Sequence, residues 1–194
     1  MSQGFLLSGG IGAGKSTAAE VFRGLGAVVL SADEVARAVL APGSPESAAV
    51  IERWPEASSD GRTVDRARLG RIVFSDGTAL VELEAITHPA TRTALAAEVD
   101  RHSGRVVVIE MPIVRDWFPG WSQVVVDASD EERVARAVGR GNVMEESDVR
   151  AVMARQPSRS EWLLAADYVI DNSGDLDRLE QQCRRVWRRV TSEA

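Results

Sequence analysis

Lysine is nearly absent from this chain. Of its 23 lysine and arginine residues, Lys15 is the only lysine, and every other cation is an arginine. A compact ammonium and a planar guanidinium are not interchangeable at sites that need a point charge. The single lysine therefore marks a position where such a charge is needed. The same scarcity excludes the Asn-Lys-x-Asp motif that specifies guanine, and with it a GTPase.

Cysteine, long apolar runs and excess positive charge are also missing. Cys183 is the single cysteine, which excludes an internal disulfide and a CxxC metal site, and we expect it to be an inert small residue. No stretch approaches the roughly 20 apolar residues of a membrane span, and the chain starts directly with a predicted strand, so we expect no signal peptide. The net charge of −6 argues against nucleic-acid and membrane partners. We expect a cytoplasmic protein that acts on small molecules; the sequence leaves its oligomeric state open.

Five short apolar runs alternate with segments of helix length. The chain of 194 residues is long enough for one domain with a proper core. Alternating strands and helices indicate a parallel sheet covered by helices on both faces, in which ligands bind beyond the carboxyl ends of the strands. The predicted strands cover 4–8, 27–31, 105–110, 123–127 and 168–171. Polar residues stand at or just after their ends: Ser8, Asp33, Glu110, Asp127 and Asn172.

A glycine-rich segment joins the first strand to the first helix. Gly9, four further residues and Gly14-Lys15-Ser16 match the G-x-x-x-x-G-K-[ST] pattern of a phosphate-binding P-loop. Its backbone N–H groups and the positive helix end would hold phosphates, with Lys15 at the β- and γ-phosphates and Ser16 on Mg²⁺. A plain glycine-rich turn is the alternative, but it would need neither the lysine nor the serine. The residues predicted to hold ATP here are Gly10, Ile11, Gly12, Ala13, Gly14, Lys15, Ser16 and Thr17.

Two insertions interrupt the predicted core, which covers 1–33, 104–130 and 165–194. Residues 34–103 are too many for a simple crossover, and we interpret them as a helical insertion that holds the second substrate. Its predicted helices cover 34–40, 45–53, 66–74, 78–87 and 89–102, with breaks at prolines and glycines.

The second insertion, residues 131–164, is predicted to be a mobile lid hinged near Gly139-Arg140-Gly141-Asn142. Arg133, Arg136 and Arg140 recur at i, i+3 and i+7, which places them on one helix face. Such a stripe is either a solvated face paired with acidic neighbours or, beside a P-loop, a lid lined with arginines that closes over a triphosphate.

Motifs along nearly the whole chain resemble those of the dephospho-CoA kinase family. They are Gly9-Gly10-Ile11-Gly12-x-Gly14-Lys15-Ser16-Thr17, Ala32-Asp33-x-x-Ala36-Arg37, Pro42-Gly43, Asp60-Gly61, Asp65-Arg66-x-x-Leu69, His88-Pro89, Met111-Pro112, Arg136-x-x-x-Arg140, Gln156 and Ala166-Asp167-x-Val169-Ile170-x-Asn172-x-Gly174. The resemblance implies a P-loop NTPase core with a five-stranded parallel sheet flanked by helices, a helical CoA-binding insertion and a lid. It also implies transfer of the ATP γ-phosphoryl group to the ribose 3′-hydroxyl of dephospho-CoA, the last step of CoA synthesis.

Specific roles follow for residues at the strand ends. Asp33 is placed to orient or deprotonate the acceptor hydroxyl, although it would also suit the N-cap of the next helix. Glu110 is the preferred magnesium ligand beside Ser16, with Asp127 as its rival, because the third strand neighbours the P-loop strand in kinases of this type. Arg37 lies one helical turn beyond Asp33 and could face the same cleft.

The remaining assignments come from the resemblance. Lys15, Asp33 and Arg140 are the expected catalytic residues. The ATP site gains Arg136, Arg140, Asn172 and Gly174, although a loop after the last strand would use Asn and Gly in any case. The acceptor site comprises Asp33, Arg37, His88 and Pro112; the alternative for His88 is that it only precedes Pro89 at a helix start.

Two departures from the family pattern concern the acceptor side of the site. Ser31 stands where the family usually has an Asp. Pro112-Ile113-Val114-Arg115-Asp116 stands where the family usually reads Pro-Leu-Leu-x-Glu, so the final acid is the shorter Asp116, and Trp117 and Trp121 after it are expected to add bulk at the acceptor cleft. The alternatives are a P-loop kinase for another nucleotide-like or sugar hydroxyl, or a nucleotide-sensing P-loop protein without an acceptor.

Overall fold

The computed structural model describes residues 3–139 and 144–192. The elements in chain order are β1 (Gln3–Ser8), α1 (Lys15–Gly24), β2 (Val28–Ser31), α2 (Ala32–Val39), α3 (Pro45–Arg53), a 3-10 turn (Pro55–Ala57), α4 (Arg66–Ser75), α5 (Gly77–Arg101), β3 (Val106–Glu110), β4 (Ser122–Asp127), α6 (Asp130–Gly139), α7 (Glu146–Met153), α8 (Arg159–Leu164), β5 (Tyr168–Asp171) and α9 (Leu176–Ser192). They form two compact units: the chain up to Ser31 together with the chain from Val99, and Ala32–Glu98. No described helix is both long and apolar enough to cross a membrane.

The first unit contains a five-stranded sheet in which every pair of neighbours is parallel. The strand order is β2-β3-β1-β4-β5, so the P-loop strand is central. The register sets Leu7 and Ser31 on either side of Glu110, at the carboxyl ends of β1, β2 and β3. The predicted five-stranded parallel sheet is confirmed, and the strand bounds differ from the predicted ones by one residue at most.

Helices α1 and α9 bury apolar side chains against the sheet. Phe5 of β1 and Phe22 of α1 meet edge to face, with ring centroids 4.9 Å apart. The buried face of α9 repeats at helical spacing: Leu179, Cys183, Val186 and Val190. Burial raises the pKa of the Cys183 thiol to about 12, which keeps it protonated and unreactive, as the sequence predicts.

The second unit has a small core of its own. Two of its helices begin at side-chain caps: Ser44 Oγ accepts from the Ser47 N–H before α3, and an Asp65 carboxylate oxygen accepts from the Ala67 and Arg68 N–H groups before α4. The buried residues of this core are Val50, Trp54, Ala57, Val64, Leu69, Val73 and Ala79.

The prediction of two helices on either side of His88 is wrong. Helix α5 runs unbroken from Gly77 to Arg101 with Pro89 inside it. A proline removes one backbone donor from a helix, but α5 continues for more than two turns on each side of it, so the remaining hydrogen bonds hold one helix together. The hydroxyls of Thr87 and Thr91 add bonds to carbonyl oxygens four residues earlier. His88 therefore lies in mid-helix and not at a helix start.

Candidate active site

The P-loop connects the buried strand β1 to the first turn of α1. Gly14 is the residue before α1 and has φ 103°, in the left-handed region that favours glycine. The Ala13 N–H donates to Gly10 O at 3.1 Å, which closes a tight turn. The first N–H groups of α1 have no acceptor within the helix and carry its positive end. The loop therefore has the geometry of an anion site.

Lys15 lies across this loop. Its Nζ donates to Gly9 O at 2.7 Å and to Gly10 O at 3.4 Å. The ammonium is thus held by the backbone of the loop at the start of α1.

The backbone of Ile11 forms hydrogen bonds with two side chains that are distant in the sequence. Its N–H donates to Gln156 Oε1 at 2.9 Å, and its carbonyl accepts from Arg133 Nε at 3.1 Å. Arg133 also donates to Asp130 Oδ1 at 3.0 Å and lies 3.4 Å from Gln156 Oε1. A chain of polar contacts therefore fixes the middle of the loop from outside.

Arg133 is the buried member of the predicted arginine stripe. Its side chain is only 5 % exposed, so the solvated-face alternative is wrong at this position. A Cβ at Gly10 would lie 2.5 Å from its Cζ, and one at Gly12 would lie 2.7 Å from its carbonyl carbon. Both loop glycines therefore leave room for Arg133, which packs against the outer side of the loop.

Asn172 supports the other side of the loop. It is 8 % exposed, and its Nδ2 donates to Ala13 O at 2.8 Å, while its own N–H donates to Asp127 O at 2.7 Å. Arg136 Nη2 donates to the Asn172 carbonyl at 2.6 Å, and Arg136 Nη1 is buried without an acceptor among the described residues. The structure thus brings Asn172 to the loop and Arg136 to Asn172, whereas Gly174 packs against the Arg178 side chain.

The two candidate magnesium carboxylates have different surroundings. Both β3 and β4 neighbour β1, so strand position alone does not distinguish Glu110 from Asp127. Asp127 is 8 % exposed and is gripped by Arg159, whose Nη2 and Nε lie 2.7 and 2.9 Å from its two carboxylate oxygens. This pair raises the pKa of the Arg159 guanidinium above its usual value through hydrogen bonding and charge. Both carboxylate oxygens of Asp127 are therefore occupied by an ion pair, which favours Glu110 as the magnesium ligand.

The predicted acceptor residues lie in both units. Asp33 and Arg37 belong to α2, which starts at Ala32, so Asp33 stands inside the first turn and its N-cap alternative is wrong. Arg37 lines a cavity of about 630 Å³ in the second unit, where its carbonyl accepts from Arg66 Nη2 at 2.9 Å. His88 lies 3.8 Å from Glu84 across one turn of α5.

Pro112 and the tryptophans belong to the first unit. Pro112 follows β3 and is exposed. Trp121 packs over Gly4, near the amino ends of β1 and β4, with its ring 4.9 Å from that of Phe118. The expected bulk of Trp121 at the acceptor cleft is therefore wrong, because that cleft would lie beyond the carboxyl ends. Arg140 and most of the predicted hinge lie outside the described residues.

The contacts of two residues that support the site, Arg159 and Gln156, could not be predicted from the sequence. Arg159 pairs with Asp127 across 32 positions, and no local spacing links them. Gln156 appears among the resembling motifs, yet nothing in its neighbourhood indicates that it holds the P-loop backbone.

Comparison with known proteins identifies the family. The model of the dephospho-CoA kinase family matches residues 5–178. The chain belongs to the dephospho-CoA kinase family. A dephospho-CoA kinase of Methylococcus capsulatus is 41 % identical over 191 residues, covering 95 % of each chain, and one of Streptomyces avermitilis is 40 % identical over 192 residues, covering 93 % of this chain and 90 % of the relative.

Solved structures confirm the fold. The crystal structure of TT1252 from Thermus thermophilus has a TM-score of 0.85 and 32 % identity, covering 96 % of this chain and 97 % of that one. A dephospho-CoA kinase from Campylobacter jejuni has a TM-score of 0.71 at 24 % identity, over 100 % and 99 % of the chains. The predicted family, the P-loop kinase fold and an ATP-dependent kinase activity are thereby confirmed.

Proposed function

We propose that this protein transfers the γ-phosphoryl group of ATP to the ribose 3′-hydroxyl of dephospho-CoA, giving CoA and ADP. The observation that carries the proposal is the family match across residues 5–178, which includes the intact P-loop with its single lysine. Phosphoryl transfer needs mainly alignment and charge neutralisation, and the residues of this chain supply both.

The loop, Lys15 and Arg136 bind the nucleotide in this proposal. Lys15 places a compact positive charge at the β- and γ-phosphates, and the N–H groups at the start of α1 complete the cradle. The buried Nη1 of Arg136 supports an ATP contact: it has no acceptor among residues 3–139 and 144–192, and a buried guanidinium nitrogen is stabilised when a ligand supplies one. Arg140 is proposed to add a second arginine, and Gly174 a contact near the adenine.

The donor set fits Mg²⁺. Ser16 offers a hydroxyl and Glu110 a carboxylate, and magnesium is commonly held by one or two protein oxygens together with substrate phosphates. Among the described residues no group of three or more His, Cys, Asp or Glu side chains forms a metal cluster, which suits this sparse arrangement. When bound, Mg²⁺ would neutralise charge on the transferring phosphates.

Asp33 is the proposed partner of the acceptor hydroxyl. It stands two residues beyond Ser31, the last residue of β2 at the carboxyl end of the sheet. The acceptor oxygen forms a bond to the γ-phosphorus while the bond to the bridging oxygen of ADP breaks, and the hydroxyl proton passes to Asp33. Arg37, His88 and Pro112 are proposed to bind dephospho-CoA; the cavity beside Arg37 supports this for the first of them.

An acceptor assay tests the proposal. ADP release with Mg-ATP should rise strongly when dephospho-CoA is added, and mass spectrometry should show CoA. Dephospho-CoA without its 3′-hydroxyl should give no increase, and Lys15→Ala serves as the control for contaminating kinases. ADP release that ignores dephospho-CoA, or that is as fast with shikimate or gluconate, would contradict the assignment.

A further inference from the structure

The residue at the crest of the P-loop is fixed from outside the loop. Ile11 donates its N–H to Gln156 and accepts at its carbonyl from Arg133, so both of its backbone groups are held by side chains more than a hundred positions away. Gln156 lies between α7 and α8, and Arg133 lies on α6.

The side chain of Ile11 points to the same helices. It packs against a small apolar cluster separate from the main core. The buried members of this cluster are Val134, Ala137 and Val149, with Met144 and Met153 packed beside them. One residue of the loop is therefore anchored by its N–H, its carbonyl and its side chain to α6, to α7 and to Gln156.

We propose that Gln156 and Arg133 are positioning residues for phosphate binding, which act through the backbone of Ile11. This rests on the proposed function in one respect, that the loop binds the phosphates of ATP. Gly12 and Gly14, on the carboxyl side of Ile11, have φ 74° and 103°, and glycine backbones interconvert easily between conformations. A loop of this kind needs external contacts to keep one curvature.

Preorganisation gives these contacts a measurable effect. The affinity for a ligand falls in proportion to the fraction of the protein in the binding-competent shape. Losing the Gln156 acceptor leaves the Ile11 N–H without its partner and lets the loop adopt other curvatures. The loss acts on nucleotide binding and not on the chemical step, since neither side chain has to contact the substrates.

Variants of Gln156 provide the test. Gln156→Leu keeps the size of the side chain and removes the acceptor; we expect the Kd for ATP and for ADP to rise about 5- to 20-fold, as for one buried hydrogen bond lost. The kcat at saturating ATP and the KM for dephospho-CoA should stay within about twofold. Gln156→Glu keeps an acceptor oxygen beside Arg133 and should restore the Kd to within about threefold of wild type.

A matched control separates positioning from stability. Gln3→Leu loses the bond from Nε2 to Val190 O, 2.7 Å long, at the opposite end of β1, and should lower Tm without changing the Kd for ATP. A wild-type Kd in Gln156→Leu, or a Kd in Gln156→Glu as weak as in Gln156→Leu, would overturn the proposal. Because ATP binding is measured without an acceptor, failure to phosphorylate dephospho-CoA would count against the proposed function alone.

Discussion

Replacing Gly10 by alanine tests how tightly the P-loop and Arg133 are packed. The φ of Gly10 is not in the left-handed region, so alanine imposes no backbone strain there. Its Cβ, however, would lie 2.5 Å from Arg133 Cζ and closer still to Nη2, whereas real Cβ contacts below 3.0 Å essentially never occur. The guanidinium must therefore move.

The size of the effect follows from what holds the guanidinium. Arg133 is 5 % exposed and bonds to Ile11 O and to the Asp130 carboxylate, at 3.1 and 3.0 Å. Overpacking costs about 1–3 kcal/mol, and a lost hydrogen bond to a charged group about 1.5–3 kcal/mol. If the displaced guanidinium loses one of its two bonds, Gly10→Ala lowers the free energy of unfolding by about 1.5–3 kcal/mol, which lowers Tm by roughly 3–12 °C in a chain of this size.

A double-mutant cycle identifies the cause. In an Arg133→Ala background the new methyl group has room, so the further loss caused by Gly10→Ala should shrink to below about 1 kcal/mol. Gly24→Ala is the matched control, because a Cβ at this helical glycine meets nothing within 4 Å, and it should be neutral or stabilising by up to about 1 kcal/mol. Urea unfolding measures all four proteins and the control. Equal losses in both backgrounds would refute the collision with Arg133.

Three other variants test the site. Lys15→Ala should remain folded but lose at least about a hundredfold in kcat at saturating Mg-ATP, with little rescue by Lys15→Arg; wild-type turnover in either would contradict the role of the loop. Asp33→Asn should bind ATP normally yet transfer phosphate at least about a hundredfold more slowly in single-turnover assays, and an unchanged rate would remove Asp33 as the base. Glu110→Gln should raise the Mg²⁺ concentration needed for half-maximal activity more than about fivefold. Asp127→Asn should mainly lower Tm, because it breaks the pair with Arg159. A raised Mg²⁺ requirement in Asp127→Asn but not in Glu110→Gln would reverse the metal assignment.

Local chemistry explains why so much of the fold is predictable from the sequence. The strands of a parallel sheet are buried on both faces, so they stand out as short runs of Val, Ile and Leu. The P-loop is equally local, since its glycines, lysine and serine lie within eight residues. The sequence predicts that β3 lies beside β1. It does not predict the order of the other strands, because their hydrogen-bonded pairs join residues far apart in the chain.

Long-range partners explain what was predicted wrongly or missed. A spacing of i, i+3 and i+7 shows that arginines share a helix face, but it does not show what covers that face. Arg133 is covered by the P-loop, 122 positions away, and the exposed Arg159 pairs with Asp127, 32 positions away. The predicted helix start at Pro89 was wrong for another reason. Proline weakens a helix locally, but α5 has enough residues on both sides of Pro89 to continue through it.

The glycines inside the P-loop are explained by a tertiary contact with Arg133 as well as by a turn. The general pattern fixes Gly9 and Gly14 and leaves the positions between them free, so it gives no reason for Gly10 or Gly12. The structure supplies one, because the side chain and backbone of Arg133 occupy the space that a Cβ would need at either position. The loop sequence and helix α6 are therefore interdependent. A side chain at Gly12 would fit this scaffold only if the backbone of α6 moved away, and a side chain at Gly10 requires the Arg133 guanidinium to move, in which case Ile11 loses the donor that holds its carbonyl.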